Sequence, residues 1–201
     1  MNDIFWKNVI KAAGEEPYYF FDSAAVERRT SRMRKAISKL QLNNDNLIKL
    51  YLLAVQSVDA LDNSEFCGAS MLFWGGMSDD LFEYHCRWVV SLGFERYSLA
   101  INDPESFYVS FIDVHPHPVS PFFGGLYMPF RDEMYERSID ESKIKFTWPR
   151  GGGGAEIPDA KLRERFPEIA RRLDQHESSC FDSSSDHANR TRVLIEQGKI
   201  V

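Results

Sequence analysis

Seven apolar side chains, Leu47, Ile48, Tyr51, Leu52, Val55, Val58 and Leu61, recur at i, i+3 and i+4 spacing behind the polar punctuation Asn43-Asn44-Asp45. That period lays one continuous apolar stripe along a helix. A stripe of this length is stable in water only when other helices cover it. The surrounding sequence supplies them. Between Ser23 and Gln41, Val26, Met33, Ile37 and Leu40 keep helical spacing; Asp62-Asn63-Ser64 can cap a helix through Ala69, Leu72 and Phe73. Near the start, Asp3 can cap a short helix carrying Ile4, Phe5, Val9 and Ile10, which Gly14 ends.

The segment from Gly75 to Asp80, GGMSDD, separates two of these patterns. Its glycines can take the left-handed conformation that closes a helix. Ser78 can then cap the next helix, with Asp79 and Asp80 in the first turn, where the helix dipole favours negative charge. In the helix that follows, Leu81, His85, Trp88, Val89 and Leu92 form one stripe, with Glu83 and Arg87 opposite at i and i+4. Gly93 closes it at C′. A short helix through Tyr97, Leu99 and Ile101 follows, and Asn102-Asp103-Pro104-Glu105 opens one more turn, with Pro at N1.

After Phe107 the texture changes. Aromatics, Pro and Gly crowd the stretch to Met128, with one β-like run at Tyr108-Val109-Ser110-Phe111-Ile112. Gly151 to Gly154 reads as a flexible connection, Ala160 to Leu173 as helix begun afresh at Pro167, Glu177 to Ser185 as a serine-rich loop, and Asn189 to Gln197 as a last helix. The expected fold is mainly α. A helical, bundle-like domain over residues 1–107 carries an aromatic, Pro- and Gly-rich extension over 108–201, packed on the first part and with room for a short β element.

Composition narrows the function. The 201 residues carry a formal net charge of −6, which disfavours a general nucleic-acid binder. Cys67, Cys86 and Cys180 are odd in number and form no CxxC pair, as expected of free thiols in a reducing compartment. The start, Met1 to Trp6, has no basic n-region or apolar h-region, and no apolar run approaches about 18 residues. No signal peptide or membrane span is expected, and a cytoplasmic location is.

The chemistry-bearing residues each have a plain reading beside a sharper one. His85 lies within an apolar stripe: it is either a core histidine bonded to a backbone carbonyl or a general base in a pocket with Asp79 and Asp80. Asp113, His115 and His117 would share one face of an extended strand, as zinc ligands can, but the intervening prolines suit a polyproline-like loop equally well. Trp148 to Gly154 lacks the Lys-Ser/Thr pair of a phosphate loop, and Ser183 to His187 holds triad residue types without a GxSxG elbow. No cofactor is expected. The segment Glu27 to Lys39 holds six basic side chains against one Glu, a net +5 that leaves −11 for the rest. A basic helix packed on an acidic body is the plain reading, and a nucleic-acid-associated regulator using Arg28 to Lys39 the sharper one.

The block Gly75-Gly76-Met77-Ser78-Asp79-Asp80-Leu81-Phe82, continuing through Tyr84, Trp88, Gly93, Ala100 and Asp103-Pro104, resembles the bacterial family called domain of unknown function 4240. Phe5-Trp6 matches near the start, and Phe166-Pro167 gives an echo; the resemblance covers about the first 107 residues. The family has Cys where Met77 stands, and its Trp-rich segment before the glycines is missing here. The resemblance implies a mostly helical domain in a bacterial cytoplasm, and no activity.

Taken together, these features favour a non-catalytic interaction protein over an enzyme. Its concrete form would be an immunity protein that binds and neutralises a toxin domain, with Tyr108, Phe111, Phe122, Phe123 and Tyr127 as aromatic contacts. The same aromatics could instead build a second small core. A small-molecule binder or enzyme around His85 is the alternative.

Overall fold

The computed structural model describes residues 1–14, 23–112, 124–144 and 157–182. The chain opens with α1 (Asn2–Ile4) and α2 (Lys11–Ala13), joined by a wider-wound turn, Phe5–Ile10, that buries Phe5, Trp6, Val9 and Ile10. Asp3 does not cap this helix; it lies within the first turn and pairs with Lys7. Gly14 ends it at φ 80°, where a Cβ would lie 2.7 Å from the Arg32 guanidinium. Arg32 also donates to the carbonyl of Ala13 and so ties this end to the next helix.

That helix, α3 (Ser23–Lys39), carries the basic segment. Its inner face is not purely apolar. Arg29 is fully buried beside Met33 and Ile37, and its Nη2 donates to the Ser91 carbonyl at 2.7 Å. The last turn of a helix presents unsatisfied carbonyls and partial negative charge, so a buried guanidinium is favourably placed there. Arg34 pairs with Asp132 on the neighbouring helix. At least three of the six basic side chains, Arg29, Arg32 and Arg34, thus make contacts within the fold.

The long stripe forms α4 (Asn44–Asp59), capped by the Asn43 side chain, which accepts from the Asn46 amide at 2.9 Å. Leu47, Leu50, Tyr51, Ala54, Val55 and Val58 face the centre of the fold. Asn63 caps α5 (Ser64–Trp74) in the same way. Then follow α6 (Asp79–Ser91), α7 (Phe94–Asn102) and α8 (Pro104–Ile112). A 3-10 turn at Gly124–Leu126 leads into α9 (Met128–Glu136), which lies against α3 and α4.

The β-like run Tyr108 to Ile112 is helical, correcting the sequence expectation. Asp103 accepts from the Ser106 amide, Pro104 fills N1, and the helix so nucleated continues to Ile112. Burial of Phe107 and Tyr108 outweighs the β preference of the run. No strand occurs among the described residues, which are mainly α.

Two C-terminal helices, α10 (Asp159–Arg165) and α11 (Pro167–Asp182), pack on α5 and α8. Leu162, Phe166, Ile169 and Ala170 are their buried contacts. Gly68 on α5 makes room: a Cβ there would stand 2.9 Å from Ile157 and 3.1 Å from Phe166. The serine-rich stretch beginning at Glu177 is helical as far as Asp182, again unlike the sequence expectation of a loop.

Candidate functional site

The corner between α5 and α6 is built as its residues dictate. Gly75 takes the left-handed conformation at φ 70°, Gly76 follows at φ 116°, and the Gly76 amide bonds back to the Met71 carbonyl. Ser78 caps α6 by accepting from the Leu81 amide at 3.4 Å. Asp79 and Asp80 occupy the first turn, exposed, where the dipole favours them. Neither converges on His85.

The α6 stripe is shifted from the pattern read in the sequence. Leu81 is exposed, whereas Phe82 and every residue from His85 to Ser91 is buried. Glu83 and Arg87 do pair, but not on an open face. Arg87 is only 9 % exposed, and its guanidinium lies 4.5 Å from the centre of the Tyr127 ring and 5.2 Å from that of Tyr84. Tyr84 is thereby backed by a cation held over its ring. Asp79, Asp80, Leu81 and Tyr84 are all exposed at the start of α6, and Asp80 and Leu81 stand one turn before Tyr84 on its side of the helix.

His85 is 1 % exposed. Its ring stacks with Phe66 at 5.7 Å and Trp88 at 5.3 Å, and Trp74 meets it edge-on at 5.7 Å. The bonded partner is a side chain, not the backbone carbonyl expected from sequence: Nε2 lies 2.5 Å from the Tyr108 hydroxyl. That hydroxyl lies 2.6 Å from Ser70 Oγ, which donates to the Phe66 carbonyl at 2.6 Å. With the one Ser70 proton committed to the carbonyl, the chain runs in one direction. His85 Nε2–H donates to Tyr108, and Tyr108 donates to Ser70. Nδ1 is then the unprotonated nitrogen, and it has no hydrogen-bond partner among the described residues. Burial pushes the imidazole pKa down to about 3, so the ring is neutral across physiological pH. A sealed base this weak is poorly suited to take protons near pH 7. Tyr108 is pushed well up by burial for the same reason.

A second polar cluster escaped the sequence reading. Asp59 is the last residue of α4, at the end where the helix dipole disfavours an anion, and its Oδ1 is buried without a hydrogen-bond partner among the described residues. Burial, with Asp62 and Glu83 nearby, pushes its carboxyl pKa up to about 6. The sequence signal was an acidic side chain at a helix C-terminus. Nearby, Tyr51 donates to Glu141 at 2.5 Å, and Arg131 bonds the same carboxylate oxygen at 2.9 Å. Burial and that bond push Tyr51 up to about 12.

The expected aromatic contacts divide. Tyr108 and Tyr127 are both core residues at 1 % exposure, so neither is a surface anchor; their rings supply stacking and cation–π contacts inside the fold. Phe111 lies on α8, its side chain outside the described residues; Phe122 and Phe123 also lie outside them, as do the metal candidates Asp113, His115 and His117. Among the described residues, no group of three or more His, Cys, Asp or Glu side chains is arranged to hold a metal ion, and no helix is long and apolar enough to cross a membrane.

A model of the family described as "Protein of unknown function (DUF4240)" matches residues 1–133, from the first helix to within α9. No curated protein and no solved structure matches the chain.

Proposed function

We propose, from the premise that the chain belongs to the DUF4240 family, that it is a protein-interaction module that binds a basic partner through the exposed start of α6. Its concrete form is a bacterial immunity protein that captures and neutralises a toxin domain. The observation that carries this reading is the juxtaposition of exposed Asp80, Leu81 and Tyr84 at i, i+1 and i+4 of α6, with Tyr84 backed by Arg87. An aromatic ring already held in place loses little freedom on binding, and carboxylates around it select a partner rich in Lys or Arg. The acidic charge of the chain outside α3 favours the same class of partner.

The competing enzyme or small-molecule reading draws its support from the unpartnered Nδ1 of His85. It is weakened by the sealing of that ring and by the exposure of Asp79 and Asp80, which lie in the first turn of α6 while His85 is buried. A nucleic-acid role keeps the exposed Arg28, Lys35 and Lys39 of α3. The deciding experiment uses the product of the adjacent gene in the native genome. Co-expression with that product should restore growth if it is toxic, and purified protein should bind it with nanomolar to micromolar affinity. Tyr84→Ala and Asp80→Lys should each weaken binding about tenfold or more. A folded pair that neither binds nor protects would overturn the proposal.

A further inference from the structure

The α5/α8 face differs from the other helix contacts in how it is covered. Its cover, α10 with the start of α11, comes from outside the 1–133 family match and packs on α5 and α8. The cover presents Leu162 from α10, Phe166 from the bend and Ile169 and Ala170 from the first turn of α11, so its buried apolar contacts gather on the two sides of that bend. The groove is shaped for it. Gly68 removes the one side chain that would collide with Ile157, Leu162 and Phe166.

The bend of the cover is held by polar contacts at the rim. Arg165 pairs with Glu65 on α5 at 2.8 Å. Glu105 on α8 accepts from the Glu168 and Ile169 amides at 2.7 and 3.4 Å, so a side chain of the groove caps the incoming helix. Within the cover, Arg163 pairs with Asp174 across the α10–α11 bend, which holds the two helices in their docked shape.

We infer that the α5/α8 face is a helix-receiving groove and that the α10–α11 segment is its tethered ligand, exchangeable for the same segment supplied from outside the chain. The groove carries its own recognition chemistry: a bare backbone at Gly68 for close approach, Glu105 to cap, and Glu65 to pair. A cover that is an integral part of the core would instead lose its fold together with the body.

The probe is a fluorescent synthetic peptide of residues 157–175, titrated into the full chain and followed by anisotropy. The wild-type groove is filled in cis and should take up the peptide at least tenfold more weakly than a full-length Phe166→Asp variant, whose own segment cannot dock. Adding Gly68→Val to that variant should abolish uptake, because the new side chain fills the approach. Arg165→Glu loosens only the rim and should give intermediate uptake. Circular dichroism should show the body of the Phe166→Asp chain still melting in one transition. The inference is overturned if a folded Phe166→Asp chain takes up no peptide, if wild type takes it up equally well, or if Phe166→Asp unfolds the whole protein.

Discussion

The surroundings of Phe66 and those of Phe166 are both apolar and both nearly sealed, yet they are assembled differently. Phe66 lies within about 6 Å of His85, Phe82, Phe107 and Tyr108, rings drawn from α6 and α8. The polar atoms among them are chained to one another and end on the Phe66 carbonyl itself. Phe166 joins a short row of side chains along one groove, and the polar contacts beside it stand at the partly exposed rim. Removing one member of the first assembly strands several others. Removing one member of the second releases a segment. Burial is similar at the two sites, but the coupling to the rest of the fold is not.

The sharpest way to break this comparison is to truncate each ring. Phe66→Ala should cost about 3–5 kcal/mol, as truncation of a fully buried aromatic generally does. Phe166→Ala removes as much local contact, but the body can let the segment go rather than carry the cavity. The main urea transition should then move by less than about 1 kcal/mol. Equal losses at the two positions, measured by urea denaturation followed at 222 nm, would make the segment part of one cooperative core.

His85 and Asp59 give the body two titrations of opposite sign. His85 is held neutral in the fold with a pKa near 3 and titrates near 6.5 when unfolded. Its contribution is therefore complete above about pH 6.5 and is lost as the pH falls toward 3, at a slope of up to about 1.4 kcal/mol per unit. His85→Phe should flatten this acid limb, and the Tyr108 hydroxyl keeps its donor bond to Ser70. Asp59 runs the other way. Its folded pKa, about 6, lies above the ordinary 3.8, so its effect on stability is most favourable below about pH 4 and is lost as the pH rises through 6. Asp59→Asn should raise stability at pH 8, by less than about 1 kcal/mol because the residue is only partly buried and solvent screens its other oxygen, and leave it unchanged at pH 4. Denaturation midpoints collected across pH for both variants test the two signs together.

Local rules made much of the body legible. Asn43, Asn63, Ser78 and Asp103 cap the helices that follow them, and Gly14, Gly75 and Gly93 take positive φ where helices close. Each depends on side-chain chemistry within three or four residues, which a single sequence displays. Features that depend on residues far apart were not legible. Period alone could not show that Arg29 would be buried against Ser91, or that Arg87 would turn inward to Tyr127, since both read as solvent-facing charges. The Tyr108 run looked like a strand because its β preference is visible in sequence and its burial against Phe66 and Phe73 is not. The place of His85 in an apolar stripe is legible, but its partner lies 23 positions away.

The finest test of the comparison lies at the rim. Arg165 and Glu65 expose 57 % and 43 % of their side chains, and an ion pair this open contributes only a few tenths of a kcal/mol in moderate salt. Arg165→Ala should leave the urea midpoint within error. The same small loss acts differently on a segment docked by few contacts, because it multiplies the fraction of time that segment spends released. Amide hydrogen exchange at Ile169 and Ala170 should therefore quicken about twofold, while exchange in α4 and α6 stays unchanged. Added salt should quicken exchange at those two amides in the wild type and much less in Arg165→Ala, since the variant has already lost the screened pair. A rim that behaves this way beside an unresponsive body would place the divide between the two assemblies at the α5/α8 groove, and a uniform response across the molecule would erase it.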